Sequence, residues 1–129
     1  MPKPVISIVD DDASVRSGTM DLLTSLGYLA EEFTDADEFL KAWRCHGTSC
    51  LIADVQLRGM SGLDLYDRLV ASGRVVPTIL ITAFPDAKDR ARALRAGVSF
   101  YLTKPFEPDE LLACIRAALA RRVRDARGP

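Results

Sequence analysis

Val5-Ile6-Ser7-Ile8-Val9 runs directly into Asp10-Asp11-Asp12. A five-residue run rich in β-branched side chains reads as a buried strand, and the carboxylates at its carboxyl end open the next segment. The same arrangement recurs along the chain. Leu51-Ile52-Ala53 ends on Asp54, Ile79-Leu80-Ile81 on Thr82, and Phe100-Tyr101-Leu102-Thr103 on Lys104-Pro105. Strands lying parallel would bring these ends to one edge of the sheet, where open α/β folds place their sites. Four carboxylates, a hydroxyl and an ammonium would meet there, a set able to bind a divalent cation and a phosphoryl group.

Between the apolar runs the periodicity becomes helical. It predicts strands at Val5–Val9, Leu29–Phe33, Cys50–Ala53, Val76–Thr82 and Phe100–Thr103. Helices are expected over Ser14–Leu26, Asp35–Cys45, Leu63–Ser72, Asp86–Ala96 and Pro108–Val123. Gly27, Gly73 and Gly97 stand where helices end. The inward stripes are expected to be Val15, Leu22, Leu23 and Leu26 in the first helix, and Phe39, Leu40 and Trp43 in the second. In the last, Leu111, Leu112, Ile115 and Leu119 form the stripe, and Thr34 is expected to cap the second helix. Strict alternation of strand and helix implies an α/β fold with a doubly wound five-stranded parallel sheet in a three-layer sandwich.

The bulk properties fit one domain and narrow the function. The chain has 129 residues, 48% of them hydrophobic, and a formal net charge of −1. This balance gives no reason to expect direct nucleic-acid binding or attachment to a membrane surface. The start, Met1-Pro2-Lys3-Pro4, lacks a signal-peptide pattern, so a cytoplasmic location is expected. One domain over 1–122, with 123–129 as a tail or the start of a linker, accounts for the chain. Cys45, Cys50 and Cys114 have no metal-ligand spacing and read as reduced thiols. His46, in Arg44-Cys45-His46-Gly47, reads as part of a helix end. Arg121, Arg122 and Arg124 sit where a helix C-terminus favours positive charge.

Asp12 has the position of a helix N-cap, which Asp fills well. Three adjacent carboxylates exceed what a cap needs, and their repulsion calls for a cation; hard oxygen ligands suit Mg²⁺. Asp54 closes the most apolar central run, and a carboxylate there can act as a nucleophile and form an acyl phosphate. Lys104, aimed into an acidic cleft, would pair with a carboxylate or a phosphoryl group. A cis Pro105 would be one way to aim it. The Thr82 hydroxyl could donate to a phosphoryl oxygen.

Asp10-Asp11, Asp54, Thr82 and Lys104-Pro105 together resemble the residue set of the response-regulator receiver domain of two-component signalling. Ile8-Val9-Asp10-Asp11-Asp12, Met60-Ser61-Gly62, Ile81-Thr82-Ala83 and Ala96-Gly97 through Lys104-Pro105-Phe106 look like the FixJ-like branch. The resemblance covers Val5 to about Arg122. It implies a flavodoxin-like (βα)5 fold, and Asp54 taking a phosphoryl group from a phosphohistidine on a sensor histidine kinase. Mg²⁺ would be held by Asp11, Asp54 and the Gln56 backbone carbonyl, with Asp10 acting mainly through water. Lys104 would share the phosphoryl charge. Thr82 would move toward the new group, and Tyr101 would turn inward and reshape the face of the fourth helix, fifth strand and fifth helix. A downstream protein or a second copy would read that face. Gln56 and Phe84 would flank the phosphoryl group and tune its lifetime. Phosphorylation and dephosphorylation would both be self-catalysed, with no independent metabolic activity.

The chain departs from the family pattern at Arg58, where the loop after Asp54 usually carries proline. FixJ-like proteins usually also carry a DNA-binding output domain, and no helix-turn-helix follows Arg122. A stand-alone receiver and a fragment of a longer protein both fit. Asp10-Asp11-Asp12-Ala13-Ser14 also loosely resembles the DxDx(T/V) signature of haloacid-dehalogenase-like phosphatases, with Asp10 as nucleophile and Asp12 as general acid. The further acidic pair of that family is not found near Lys104. A phosphorelay intermediate, passing its phosphoryl group to a histidine phosphotransfer protein, would share the receiver site. A pseudo-receiver would lack the complete set.

Overall fold

The computed structural model describes residues 3–43, 47–73 and 75–126. Among these residues five strands and five helices alternate: β1 Val5–Val9, α1 Ala13–Ser25, β2 Leu29–Phe33, α2 Ala36–Trp43, β3 Cys50–Asp54, α3 Gly62–Ala71, β4 Thr78–Thr82, α4 Ala87–Ala96, β5 Phe100–Thr103 and α5 Pro108–Ala126. All pairings are parallel, in the order β2-β1-β3-β4-β5. The order reverses at β1, whose neighbours are β2 and β3, and this opens a crevice at the carboxyl edge.

Period-two alternation sorts the strand residues onto two faces. Ile6, Ile8, Ile52, Ile79 and Ile81 pack with Leu23 of α1 and with Leu111 and Ile115 of α5. Val9, Leu51, Ala53 and Leu80 pack with Phe39 of α2, Leu65 and Leu69 of α3, and Ala93 of α4. The expected three-layer α/β sandwich is therefore the observed one. Each fully buried Ile or Leu contributes about 1.5–3 kcal/mol by leaving water. Central strands β3 and β4 are buried at every position, as two covered faces require.

Several local expectations shift. Leu26 is 44% exposed instead of buried. It is the C-cap of α1, beyond the last helical turn; its N–H donates to the Leu22 and Leu23 carbonyls, and the Gly27 N–H to that of Thr24, while its side chain leaves the inner face. Thr19, one turn before Leu23, is buried there instead, its hydroxyl donating to the Val15 carbonyl at 2.8 Å. Asp35, not Thr34, caps α2: the Asp35 carboxylate accepts from the Glu38 N–H at 2.8 Å, while the Thr34 hydroxyl turns to the Glu38 carboxylate at 3.0 Å. Strand β4 starts at Thr78, after Pro77, whose missing N–H cannot join a ladder. Helix α5 continues to Ala126, past the end expected at Val123. Cys45, His46 and the side chains of Trp43, Arg122 and Arg124 lie outside the described residues.

Candidate phosphoacceptor and metal site

Each functional side chain is placed by the end of a strand. Asp10 follows β1; its N–H donates to the Phe33 carbonyl at 3.2 Å, and its side chain is fully buried. Asp54 is the last residue of β3 and is 7% exposed. Thr82 ends β4 with no exposure, and Lys104 follows β5, its N–H bonded to the Thr82 carbonyl at 2.8 Å. The Lys104–Pro105 peptide is cis.

The ammonium of Lys104 bridges two of the carboxylates. Nζ donates to Asp54 Oδ2 at 2.5 Å and to Asp10 Oδ2 at 3.1 Å. The second oxygens are also engaged, by backbone donors: Asp54 Oδ1 accepts from the Gln56 N–H at 2.8 Å and Asp10 Oδ1 from the Asp12 N–H at 2.9 Å. Asp11, in contrast, is exposed at the mouth of the crevice. Carboxylate oxygens of Asp10, Asp11 and Asp54 lie within 4.8 Å of one another.

Three carboxylates around one ammonium leave an uncompensated negative charge. Burial raises the Asp10 pKa, against the opposing pull of the Asp12 N–H and Lys104. Burial alone would lower the Lys104 pKa, but its hydrogen bonds to Asp54 and Asp10, with the charges of both, outweigh that and raise it. This hard, oxygen-only donor set with a charge deficit suits a divalent cation such as Mg²⁺. The residues present therefore fit the expected metal.

Asp12 stands apart from this chemistry. Its carboxylate accepts from the Ser14 and Val15 N–H groups as the N-cap of α1. That engagement removes the general acid a dehalogenase-like phosphatase would need there. Thr82 Oγ1 accepts from the Phe84 N–H at 3.0 Å. The Phe84 side chain is 69% exposed and does not cover the site in this conformation. Arg58 is exposed. Tyr101 already has its hydroxyl buried, with no hydrogen-bond partner among the described residues. Its pKa is raised by that burial, with the backbone of Asp86 acting against the shift.

Two contributors were not singled out from the sequence. Arg16 donates to the Asp10 carbonyl at 2.6 Å from the first turns of α1. Gly62, though quoted within Met60-Ser61-Gly62, stands against the backbone of Asp54. A basic residue following an acidic run, and a glycine opening a helix, were the available signals.

Residues 6–116 match the model of the response regulator receiver domain. The chain belongs to the response-regulator receiver family. It is 40% identical over 115 residues to the response regulator protein TodT of Pseudomonas putida, covering 89% of this chain and 51% of that protein. It is 33% identical over 128 residues to the transcriptional regulatory protein FixJ of Azorhizobium caulinodans, covering 98% of this chain and 61% of that one. Among solved structures it resembles the response regulator StyR, with a TM-score of 0.89, 40% identity, and coverage of 98% of this chain and 65% of that chain. The likeness to the crystal structure of FixJ-N has a TM-score of 0.85 at 28% identity, covering 93% and 96% of the two chains. The receiver chain thus spans about half the length of the curated relatives it matches first. It is a FixJ-like receiver domain whose acidic cluster has the make-up of a phosphoaccepting site. Among the described residues no helix is long and apolar enough to cross a membrane.

Proposed function

We propose that this receiver accepts a phosphoryl group on Asp54 from a phosphohistidine of a cognate sensor histidine kinase, in the cytoplasm. The Lys104 ammonium, held between Asp54 and Asp10 at the carboxyl edge of the sheet, is the observation that carries the reading. An Asp54 oxygen attacks phosphorus, the phosphorus–nitrogen bond breaks, and its electron pair returns to the imidazole. Lys104 stays beside the acceptor and meets the charge on the transferring oxygens. Asp11, Asp54 and the Gln56 carbonyl would hold Mg²⁺ and Asp10 would act through water. When bound, the ion supplies Lewis-acid charge stabilisation. The Gln56 N–H bond to Asp54 Oδ1 keeps that backbone beside the acceptor and supports this assignment.

The Thr82 hydroxyl would exchange its Phe84 N–H contact for the phosphoryl group. Tyr101 would respond to that movement, in a local charge event that biases a two-state element. Its already buried hydroxyl, without a hydrogen-bond partner among the described residues, supports a residue with an alternative arrangement available. The output would pass through the α4–β5–α5 face to a downstream protein or a second copy. On that face Leu94 is 44% exposed and α4 buries Ala93.

Acetyl phosphate with Mg²⁺, followed by mass mapping, tests the central step. The label is expected on Asp54, and neither the Asp54→Asn variant nor protein in excess EDTA should acquire it. A label on Asp10 overturns the assignment.

A further inference from the structure

We infer that Arg16 is a positioning residue for the metal site, acting through the backbone carbonyl of Asp10. This rests on the Mg²⁺ reading above and assigns it a component outside the acidic set. The β1–β2 ladder ends at the Val9–Phe33 pair, and Asp10 uses only its N–H in continuing it. Its carbonyl thus emerges past the end of β2, where no backbone N–H among the described residues donates to it. The Arg16 guanidinium, folding back from α1, donates to it through Nη1 at 2.6 Å. With this bond every polar group of Asp10 is held: the N–H by Phe33, one carboxylate oxygen by the Asp12 N–H, the other by Lys104, and the carbonyl by Arg16.

The consequence falls on the next residue. The Asp10 carbonyl and the Asp11 N–H belong to one planar peptide, so a bond that fixes the carbonyl fixes the plane from which Asp11 departs. Asp11 is the exposed member of the three carboxylates, and among the described residues no side-chain bond orients it. Arg16 therefore prepays the ordering of this ligand. A charge-assisted bond to a carbonyl is stronger than a neutral one and suits that task.

The sign of the effect separates positioning from simple charge. If Arg16 acted only as a nearby cation, its removal would tighten Mg²⁺ binding to an acidic site. If it positions Asp11, removal weakens binding. Calorimetric titration with MgCl₂ should show Arg16→Met binding roughly three- to tenfold more weakly than wild type, the scale expected for one lost hydrogen bond. Arg16→Lys, which keeps a cationic donor, should recover part of the loss and serves if the Met variant folds poorly. The ¹⁵N–¹H resonance of Asp11 in metal-free protein should shift in Arg16→Met. Unchanged or tighter Mg²⁺ binding overturns the proposal, as does weaker binding with the Asp11 resonance unmoved. Wild-type protein that binds no Mg²⁺ overturns the metal reading itself, and this inference with it.

Discussion

Gly62 lies against the carbonyl of Asp54 so closely that a Cβ there would overlap the oxygen and stand 3.1 Å from Leu80 Cδ2. The Gly62 N–H meanwhile donates to the Val55 carbonyl at 2.9 Å. The start of α3 is thereby seated on the backbone of Asp54, the proposed phosphoacceptor. Gly62→Ala should displace one against the other. We expect a loss of about 1–3 kcal/mol, typical of overpacking, and slower labelling by acetyl phosphate. Thermal unfolding and labelling kinetics check both; an Ala variant equal to wild type in the two would show that α3 yields without disturbing Asp54.

Lys104→Met removes the ammonium and leaves the buried carboxylates of Asp10 and Asp54 facing each other. Breaking a buried ion pair from one side costs about 3–5 kcal/mol, and metal-free protein should lose stability on that scale. Added Mg²⁺ should restore part of it, because a ligand of the native state stabilises by mass action. Urea unfolding with EDTA and with MgCl₂ measures the two quantities. A variant as stable as wild type in EDTA would mean that the bridge contributes little to folding.

Phe84 is 69% exposed, so Phe84→Ala should change stability by no more than about 0.5 kcal/mol. Its proposed part lies in the phosphorylated state, where an apolar ring over the site excludes attacking water. The expected outcome is a shorter lifetime of phosphorylated Asp54 at unchanged unfolding free energy. Equal hydrolysis rates in the two proteins would remove Phe84 from that role.

Cys50 is fully buried at the start of β3, and burial, with a smaller effect of nearby Cys114, pushes its thiol from 9.0 up to about 12. It should resist iodoacetamide at pH 8 in folded protein and react once urea unfolds the chain. The raised value favours the folded state while the thiol is protonated. That contribution is whole below 9.0 and is lost as pH climbs toward about 12, since the unfolded chain releases its proton first. Stability should therefore fall more steeply over that range in wild type than in Cys50→Ala, by up to about 1.4 kcal/mol per pH unit. Parallel slopes would show that Cys50 does not titrate differently in the two states.

The fold and most of the candidate site are legible in the linear chain because both are written in short-range patterns. Apolar runs of strand length, helical stripes and glycine stops specify β-α units, and the parallel sheet that follows gathers the strand ends at one edge. Asp10, Asp11, Asp54, Thr82 and Lys104 could be collected in this way without knowing a single distance. Asp12 could be set aside as a cap, and its bonds to Ser14 and Val15 are those of one.

Other features depend on where a side chain ends after packing. Leu26 matches the stripe of α1, yet the helix finishes beneath it and leaves it in solvent. Thr34 and Asp35 are both good caps, and backbone direction into α2 chose Asp35. The Lys104 bonds to Asp54 and Asp10 join residues 50 and 94 positions apart, distances over which periodicity carries no information. Arg16 returning to the Asp10 carbonyl, and Gly62 seated on Asp54, likewise arise only once α1 and α3 pack at the sheet edge. Local pattern selects the elements because neighbouring residues share one backbone geometry. Which polar groups then satisfy one another is settled by how those elements meet.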